Sequence, residues 1–467
     1  MKCKILITFA LLILPNAYAQ NLYTKDSVLN KAFTLAVNTL YKNSPDSLIK
    51  AGGTYGGEWT RDVSINAWNA STLLIPEKTK YSLWSVTENG RKTISHQYWD
   101  KIIWTIAAWD YYLKTADTAF LQQAYTTCKN TMEELELTAF DKNYNLFTGP
   151  SVFNDGIAGY EFPVFDPYIV SSFVLDHPSS KYIKCLSTNC VYFQSYNCLA
   201  LMAQEFNDKA NAKIYTAKAK KLKQSVRNNF YDKENNKLYY LIDNTGKIHK
   251  FQEGLGISFA VLFNIVDKKE ARLLLEGVYR DKYGLPSIYP CFERFSADKP
   301  GRHNQIVWPF VNAFFAQACY KTGNTDVFLQ EFFNLADLAV NKSDNCFYEI
   351  YNGNTGLQDG GWQQGYAWNS VHDQTWSATG FLRMVIYGLP GMDFTEQGII
   401  FRPEGKVINE TGFTKLEGLR YKNATLTIIK TGSGEKLSHI IVNGKKQSAK
   451  QAVNTLNGNT VIELVMK

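Results

Sequence analysis

"YWDKIIWTIAAWDYYLKTADTAFLQQAYTTCKNTMEELEL", from Tyr98 to Leu137, carries two helical patterns divided by a break at Asp117. In each half the apolar residues recur at helical spacing, and the break is a residue type that interrupts helices. The same texture runs from about residue 25 to 390. Further examples are "DSVLNKAFTLAVNTLYK", "RDVSINAWNASTLL", "VYFQSYNCLALMAQEFND", "ANAKIYTAKAKKLKQSVRNNFY" and "FQEGLGISFAVLFNIV". "KKEARLLLEGVYR", "IVWPFVNAFFAQACYKTG", "DVFLQEFFNLADLAV" and "DQTWSATGFLRMVIYGL" complete roughly a dozen helices, mostly in consecutive pairs. Paired amphipathic helices stack as a solenoid or close into a ring of inner and outer helices. No repeat of about 30 residues is strict enough to define a binding solenoid.

Long connections rich in Gly, Asp, Trp and Tyr occupy residues 143–170, 281–304 and 341–371. Long ordered loops are usually functional. If the inner helices point alternately up and down, such loops gather at one end and build a cleft. From Thr395 the texture changes to short alternating strands, "GIIFRP", "LRYKNATLTIIKTG", "HIIVNGKKQ" and "NTVIELVMK", with Asn-Gly turns. The expected organisation is a helical domain over 20–394 and a small β-strand domain over 395–467.

The first 19 residues read as a secretory leader. Lys2 and Lys4 precede an apolar run from Ile5 to Leu14, and Ala17-Tyr18-Ala19 forms a small-residue cleavage site. The run is too short to span a bilayer, and no later stretch suffices. An exported protein, periplasmic or extracellular, is expected, with no membrane insertion. Loss of Lys2 and Lys4 lowers the formal charge from +7 to +5, with both signs interspersed, so nucleic acid is not implied. Seven of the 8 cysteines follow the leader. Only Cys185 and Cys190, in "KCLSTNC", are close enough to suggest a local bridge. No Cys/His pair has zinc-ligand spacing, no calcium motif occurs, and nothing requires a cofactor. The chain does not state its oligomeric state.

Carboxylates in long loops among glycines and aromatics are Glu58, Asp62, Asp155, Glu253, Glu349, Asp359 and Asp373. Asp155, in "TGPSVFNDGIAGYEFP", is flanked by Phe153 and Tyr160, which could desolvate it and raise its pKa as a general acid needs. Asn154-Asp155-Gly156 also reads as a plain turn. Glu349, within "CFYEIYNG", is a charge among aromatics, and so paired, working, or at a strand end. Glu253 and Asp373 precede helices and read as caps. Asp62 reads as a cap, a partner of Arg61, or a clamp on sugar hydroxyls. His303 and Trp308, in "GRHNQIVWP", could line the same cleft, although a lone His among helices is more often structural.

Four motifs in this order, "GGEWTRD", "FNDGIAGYE", "GRHNQIVWP" and "YEIYNGNTG…GGWQQGYAWNS…DQTWSATG", resemble those of the six-hairpin (α/α)6-barrel glycosidases over about residues 40–390. The likeness is to the clan of trehalases and glycoside hydrolase family 63, which holds processing α-glucosidases and mannosylglycerate hydrolase-like enzymes. The resemblance implies a mainly α fold, an (α/α)6 toroid with the β domain at its C-terminal end. It implies Asp155 as general acid and Glu349 as general base. Trp59, Arg61 and Asp62 would grip the sugar at the cleaved end, with His303, Trp308, Trp368, Gln374 and Trp376 completing the pocket. Inverting hydrolysis of an α-linked glucoside at the end of an oligosaccharide is then the expected activity. The alternatives are α-mannoside or α-rhamnoside hydrolysis or phosphorolysis on the same barrel, or glycan binding without catalysis.

Overall fold

The protein is described from a computed structural model covering residues 20–454 and 456–467. The expected leader, residues 1–19, lies outside them. After α1 (Ser27–Lys42), α2 (Thr60–Asn66) runs on through a π-turn at Ala67–Ser71 into Thr72–Leu74. Then come α3 (Pro76–Ser85), α4 (Ile103–Thr115), α5 (Thr118–Thr138), α6 (Leu186–Glu205), α7 (Lys209–Phe230), α8 (Gly254–Leu262) and α9 (Lys268–Glu276). The last large helices are α10 (Pro309–Thr322), α11 (Thr325–Asp337) and α12 (Thr375–Gly388).

Two populations of helix explain the arrangement. Every residue of α2 and α12 is buried, as are nearly all of α4, α6, α8 and α10. Helices buried on all sides are enclosed by their neighbours, and the polar side chains they carry, such as Arg61 of α2, must find partners inside. By contrast α1, α5, α7, α9 and α11 bury only a stripe. The six buried helices touch in a closed circuit: α2 on α4, α4 on α6, α6 on α8, α8 on α10, α10 on α12, and α12 back on α2.

Capping follows the same division except at α11, whose Asn324 makes no side-chain cap. The Asp breaks of the sequence cap outer helices: Asp26 on α1, Asp117 on α5, Asp208 on α7, and Asp267 with Glu270 as a capping box on α9. None of the six buried helices is capped by the side chain at its own N-terminus. Glu253, expected to cap α8, caps a neighbour instead. Its carboxylate accepts from Ser187 N of α6 at 3.0 Å and from Ser151 Oγ at 2.6 Å. Asp373 does not cap α12 either, because Gln374 occupies that position. Asp373 pairs with Lys42 at 2.8 Å. The Cys185–Cys190 bridge does not form: Cys185 precedes α6, Cys190 Sγ faces Gly256 O, and all seven described cysteines are free.

The buried helices all run the same way rather than alternately up and down, because between one buried helix and the next a further helix returns the chain. Their N-terminal ends lie toward the long loops. Their C-terminal halves surround a second cavity of about 380 Å³, walled by Trp68, Trp109, Phe263, Tyr320 and Tyr387. Lys321 and Arg383 line this end, where helix dipoles favour cations. A hairpin of Met392–Thr395 and Gly398–Phe401 lies against it through Met392 and Phe394.

The C-terminal sheet recruits a strand from the other end of the chain. With β1 (Asn21–Tyr23), β2 (Lys415–Tyr421), β3 (Asn423–Gly432), β4 (Leu437–Val442), β5 (Lys445–Ser448) and β6 (Asn457–Met466), its order is β1-β2-β3-β6-β4-β5. β3 and β6 are parallel over ten residues, and the other pairs are antiparallel. No helix among the described residues is long and apolar enough to cross a membrane.

Candidate active site

At the N-terminal ends of the buried helices the loops enclose a cavity of about 260 Å³. All ten residues singled out from the sequence line it: Trp59, Arg61, Asp62, Asp155, His303, Trp308, Glu349, Trp368, Gln374 and Trp376. Glu58, Glu253, Asp359 and Asp373 do not.

The glycine run before α2 has two uses. A Cβ on Gly52 would lie 2.0 Å from Gln374 Oε1, and one on Gly53 would lie 2.7 Å from the His372 ring. Only glycine lets this segment lie against the turn before α12, where Thr375 N donates to Ala51 O at 2.9 Å. Gly56 and Gly57 meet nothing close and leave the loop tip open. The chain then enters α2 at Thr60, whose Oγ1 donates to Ser95 O at 3.1 Å. Asp62 is therefore in the first turn and is not the cap, since Trp59 takes that position without a side-chain bond.

Arg61 is buried and bridges two carboxylates, with Nη1 3.2 Å from Asp100 Oδ2 and Nη2 3.2 Å from Asp155 Oδ2. Its guanidinium also lies 5.8 Å from the Trp376 ring centroid. Asp155 is more than a turn residue. A Cβ on Gly156 would meet Gln363 Nε2 at 2.4 Å, so glycine is needed for this loop to approach the far wall. The Asp155 side chain keeps 35% of its surface exposed, into the cavity.

Glu349 faces it from the loop after α11. An antiparallel pairing of Ile306–Val307 with Tyr351–Asn352 ties this loop to the one carrying Arg302 and His303. Arg302 Nη2 donates to Glu349 Oε2 at 2.6 Å, Tyr55 OH donates to the same oxygen at 3.3 Å, and Arg302 Nη1 donates to Gly360 O at 2.9 Å. His303 stacks flat on Trp308, with centroids 4.1 Å apart and planes at 8°. Trp376 meets Trp308 edge-on at 5.4 Å. With its amide oriented by its neighbours, Gln374 accepts from Trp376 Nε1 at 3.0 Å. At the mouth Trp59 and Trp368 are 50% and 39% exposed, and Tyr366 stacks beside Trp368 at 5.8 Å.

The charges divide sharply. Burial pushes Asp62 and Asp100 up to about 7, because Arg61 compensates them only in part. Burial would also raise Asp155, but the Arg61 guanidinium outweighs it and holds the carboxyl below its usual range. This corrects the expectation that Phe153 and Tyr160 would raise Asp155 by desolvation. For Glu349, burial is likewise outweighed, chiefly by the Arg302 guanidinium, so it too is held low. Three carboxyls thus gather around the single Arg61, with Asp62 and Asp100 raised by burial and Asp155 held low.

Sequence reasoning missed Tyr55, Asp100, Arg302 and Gln363. The signal for Arg302 was available, since a Glu buried among aromatics needs a cation, and "GRHNQ" offers one beside His303. Asp100 was read as helical in "YWDKII", whereas α4 starts only at Ile103 and leaves Asp100 in the preceding turn.

Among solved structures, the fold resembles several glycosidases. One is a sialidase (TM-score 0.70, 16% identity, covering 92% of this chain and 40% of that one). Another is the GH63 mannosylglycerate hydrolase of Thermus thermophilus in complex with Tris and D-glycerate (0.57, 16%, 76% and 100%). A third is the GH78 family rhamnosidase of Bacillus sp. GL1 (0.60, 14%, 97% and 44%). The chain thus spans less than half of the sialidase and rhamnosidase chains. The architecture is mainly α, and its fold is shared with these structures.

The sequence profile described as "Mannosylglycerate hydrolase MGH1-like glycoside hydrolase domain" matches residues 171–377, a span that includes Arg302, His303 and Glu349. No curated protein matches the chain in sequence. Over those residues the chain resembles glycoside hydrolase domains of the mannosylglycerate hydrolase type.

Proposed function

We propose that the protein is an exported, inverting exo-glycosidase that removes a terminal α-linked sugar, glucose or a close relative, from an oligosaccharide. The observation that carries this reading is the pair of carboxylates, Asp155 and Glu349, facing one small cavity and each held by its own arginine. Inversion needs an acid on the leaving oxygen and a base on water across the ring. Glu349, kept ionised, suits the base. Asp155, whose side chain opens into the cavity, is placed to protonate the leaving oxygen. Arg61 and Asp62 at the inner end would grip hydroxyls of the departing sugar, and Trp59 and Trp368 would stack on the sugar beyond it.

The cavity volume, at the lower edge of small-molecule sites, favours one bound sugar ring and hence release from a chain end. The circuit of six buried helices supports reading the barrel as an (α/α)6 toroid. Export to the periplasm or beyond rests on the leader-like residues 1–19. The test is incubation with reducing-end-labelled oligosaccharides of α-glucose, α-mannose and α-rhamnose, and with mannosylglycerate. Stepwise loss of one sugar from the non-reducing end is expected. Cleavage within the chain, or no turnover, refutes exo-hydrolysis.

A further inference from the structure

His303 is held in a way that stacking alone does not explain. Its φ of +61° lies in the left-handed region, uncommon for a residue bearing a side chain. The ring plane is fixed by Trp308, and Nδ1 lies 3.0 Å from Asn154 Oδ1. That oxygen also accepts the Gly156 N–H at 3.0 Å. It is therefore the amide oxygen, and the hydrogen in the contact belongs to Nδ1. A neutral ring so oriented presents its bare lone pair at Nε2.

Nε2 is buried and has no hydrogen-bond partner among the described residues, and the side chain is 6% exposed. It stands 4.0 Å from Glu349 Oε1, too far for a direct hydrogen bond. The other oxygen of Glu349 is taken by Arg302 and Tyr55. Two acceptors at this separation match the two hydrogens of one water, because hydrogen bonds of about 2.8 Å at the bend of water span roughly 4 Å.

Resting on the hydrolase reading above, we propose that His303 positions the nucleophilic water, which gives one hydrogen bond to His303 Nε2 and the other to Glu349 Oε1. The water oxygen attacks the anomeric carbon as the bond to the leaving oxygen breaks. The hydrogen facing Glu349 passes to Oε1, the water hydrogen directed at the Nε2 lone pair stays with the new hydroxyl, and the leaving oxygen takes its proton from Asp155. His303 exchanges no proton; it fixes the direction of attack. This role differs from contact with the sugar.

The experiment compares kcat and KM of His303→Asn and His303→Gln with those of the unaltered protein. Asn tolerates the left-handed backbone and can keep the contact to Asn154, but has nothing at the position of Nε2. His303→Asn should lose about 10²-fold in kcat, with KM changed by no more than about twofold. The longer amide of Gln reaches the Nε2 position and should recover part of the loss. A kcat for His303→Asn within about twofold of the unaltered protein, or a loss confined to KM, overturns the proposal and leaves the hydrolase reading standing. Absence of turnover by the unaltered protein removes both.

Discussion

Arg302 donates to Glu349 at 2.6 Å, and the two side chains are 4% and 5% exposed. A carboxylate so deeply enclosed would take up a proton without that cation. The pair keeps Glu349 ready to accept a proton, while the second oxygen stays open toward His303. Arg302 in turn is fixed by Gly360 O and by the backbone pairing of its own N–H to Trp362 O at 2.8 Å.

Replacing Arg302 by Met removes the charge that holds Glu349 low. The carboxyl pKa then rises, so the base is protonated at pH values where it is now ionised. The acid limb of kcat/KM should move to higher pH. Stability should fall by about 3–5 kcal/mol, as expected when one partner of a buried pair is removed. A pH–rate profile and a denaturant titration measure the two effects.

Trp59 is half exposed and packs only loosely, 5.9 Å from His96. Trp59→Ala should therefore leave the melting temperature nearly unchanged. Loss of ring stacking should raise KM by about 2- to 10-fold, corresponding to about 0.5–1.5 kcal/mol. Steady-state kinetics beside a melting curve distinguish this from general damage.

Gly52 and Gly57 offer a matched pair. Gly52→Ala forces Gln374 aside and loosens the join between α2 and α12, so activity and stability should both fall. At Gly57 the nearest atom to an added Cβ is Trp59 Nε1 at 4.0 Å, and Gly57→Ala should be close to neutral. Melting temperature and specific activity of the two variants check the difference.

Glu253 gives a pH signature of folding. Burial raises it to about 7, so between its ordinary value and 7 the folded chain binds a proton that the unfolded chain does not. Its contribution is complete below about pH 4 and is lost as pH rises through 7, with a slope of up to about 1.4 kcal/mol per pH unit. Glu253→Gln lacks this titration. The stability of the unaltered protein relative to that variant should therefore decline from pH 5 to pH 8, as read by denaturant unfolding at each pH.

Much of this was legible because it is local. Helical periodicity marked α1, α5, α7 and α10 to within a few residues, and carboxylates among glycines and aromatics marked Asp155 and Glu349. What escaped depends on distant partners. β1 pairs with residues 415–417 at the other end of the chain, and no local pattern announces that. Glu253 stood where a cap belongs, but the amide it satisfies is in another helix. Desolvation of Asp155 was foreseen from its aromatic neighbours. Its opposite shift comes from Arg61, 94 positions away in sequence.

The central claim is that Asp155 and Glu349 form an inverting acid–base pair. It is tested most directly by following the anomeric configuration of the newly released sugar by proton NMR, with Glu349→Gln and Asp155→Asn beside the unaltered protein. The account predicts that an α-linked substrate gives the β-anomer first, and that both variants lose at least about 10²-fold in rate. First appearance of the α-anomer, or a Glu349→Gln variant that still turns over at the original rate, would contradict it.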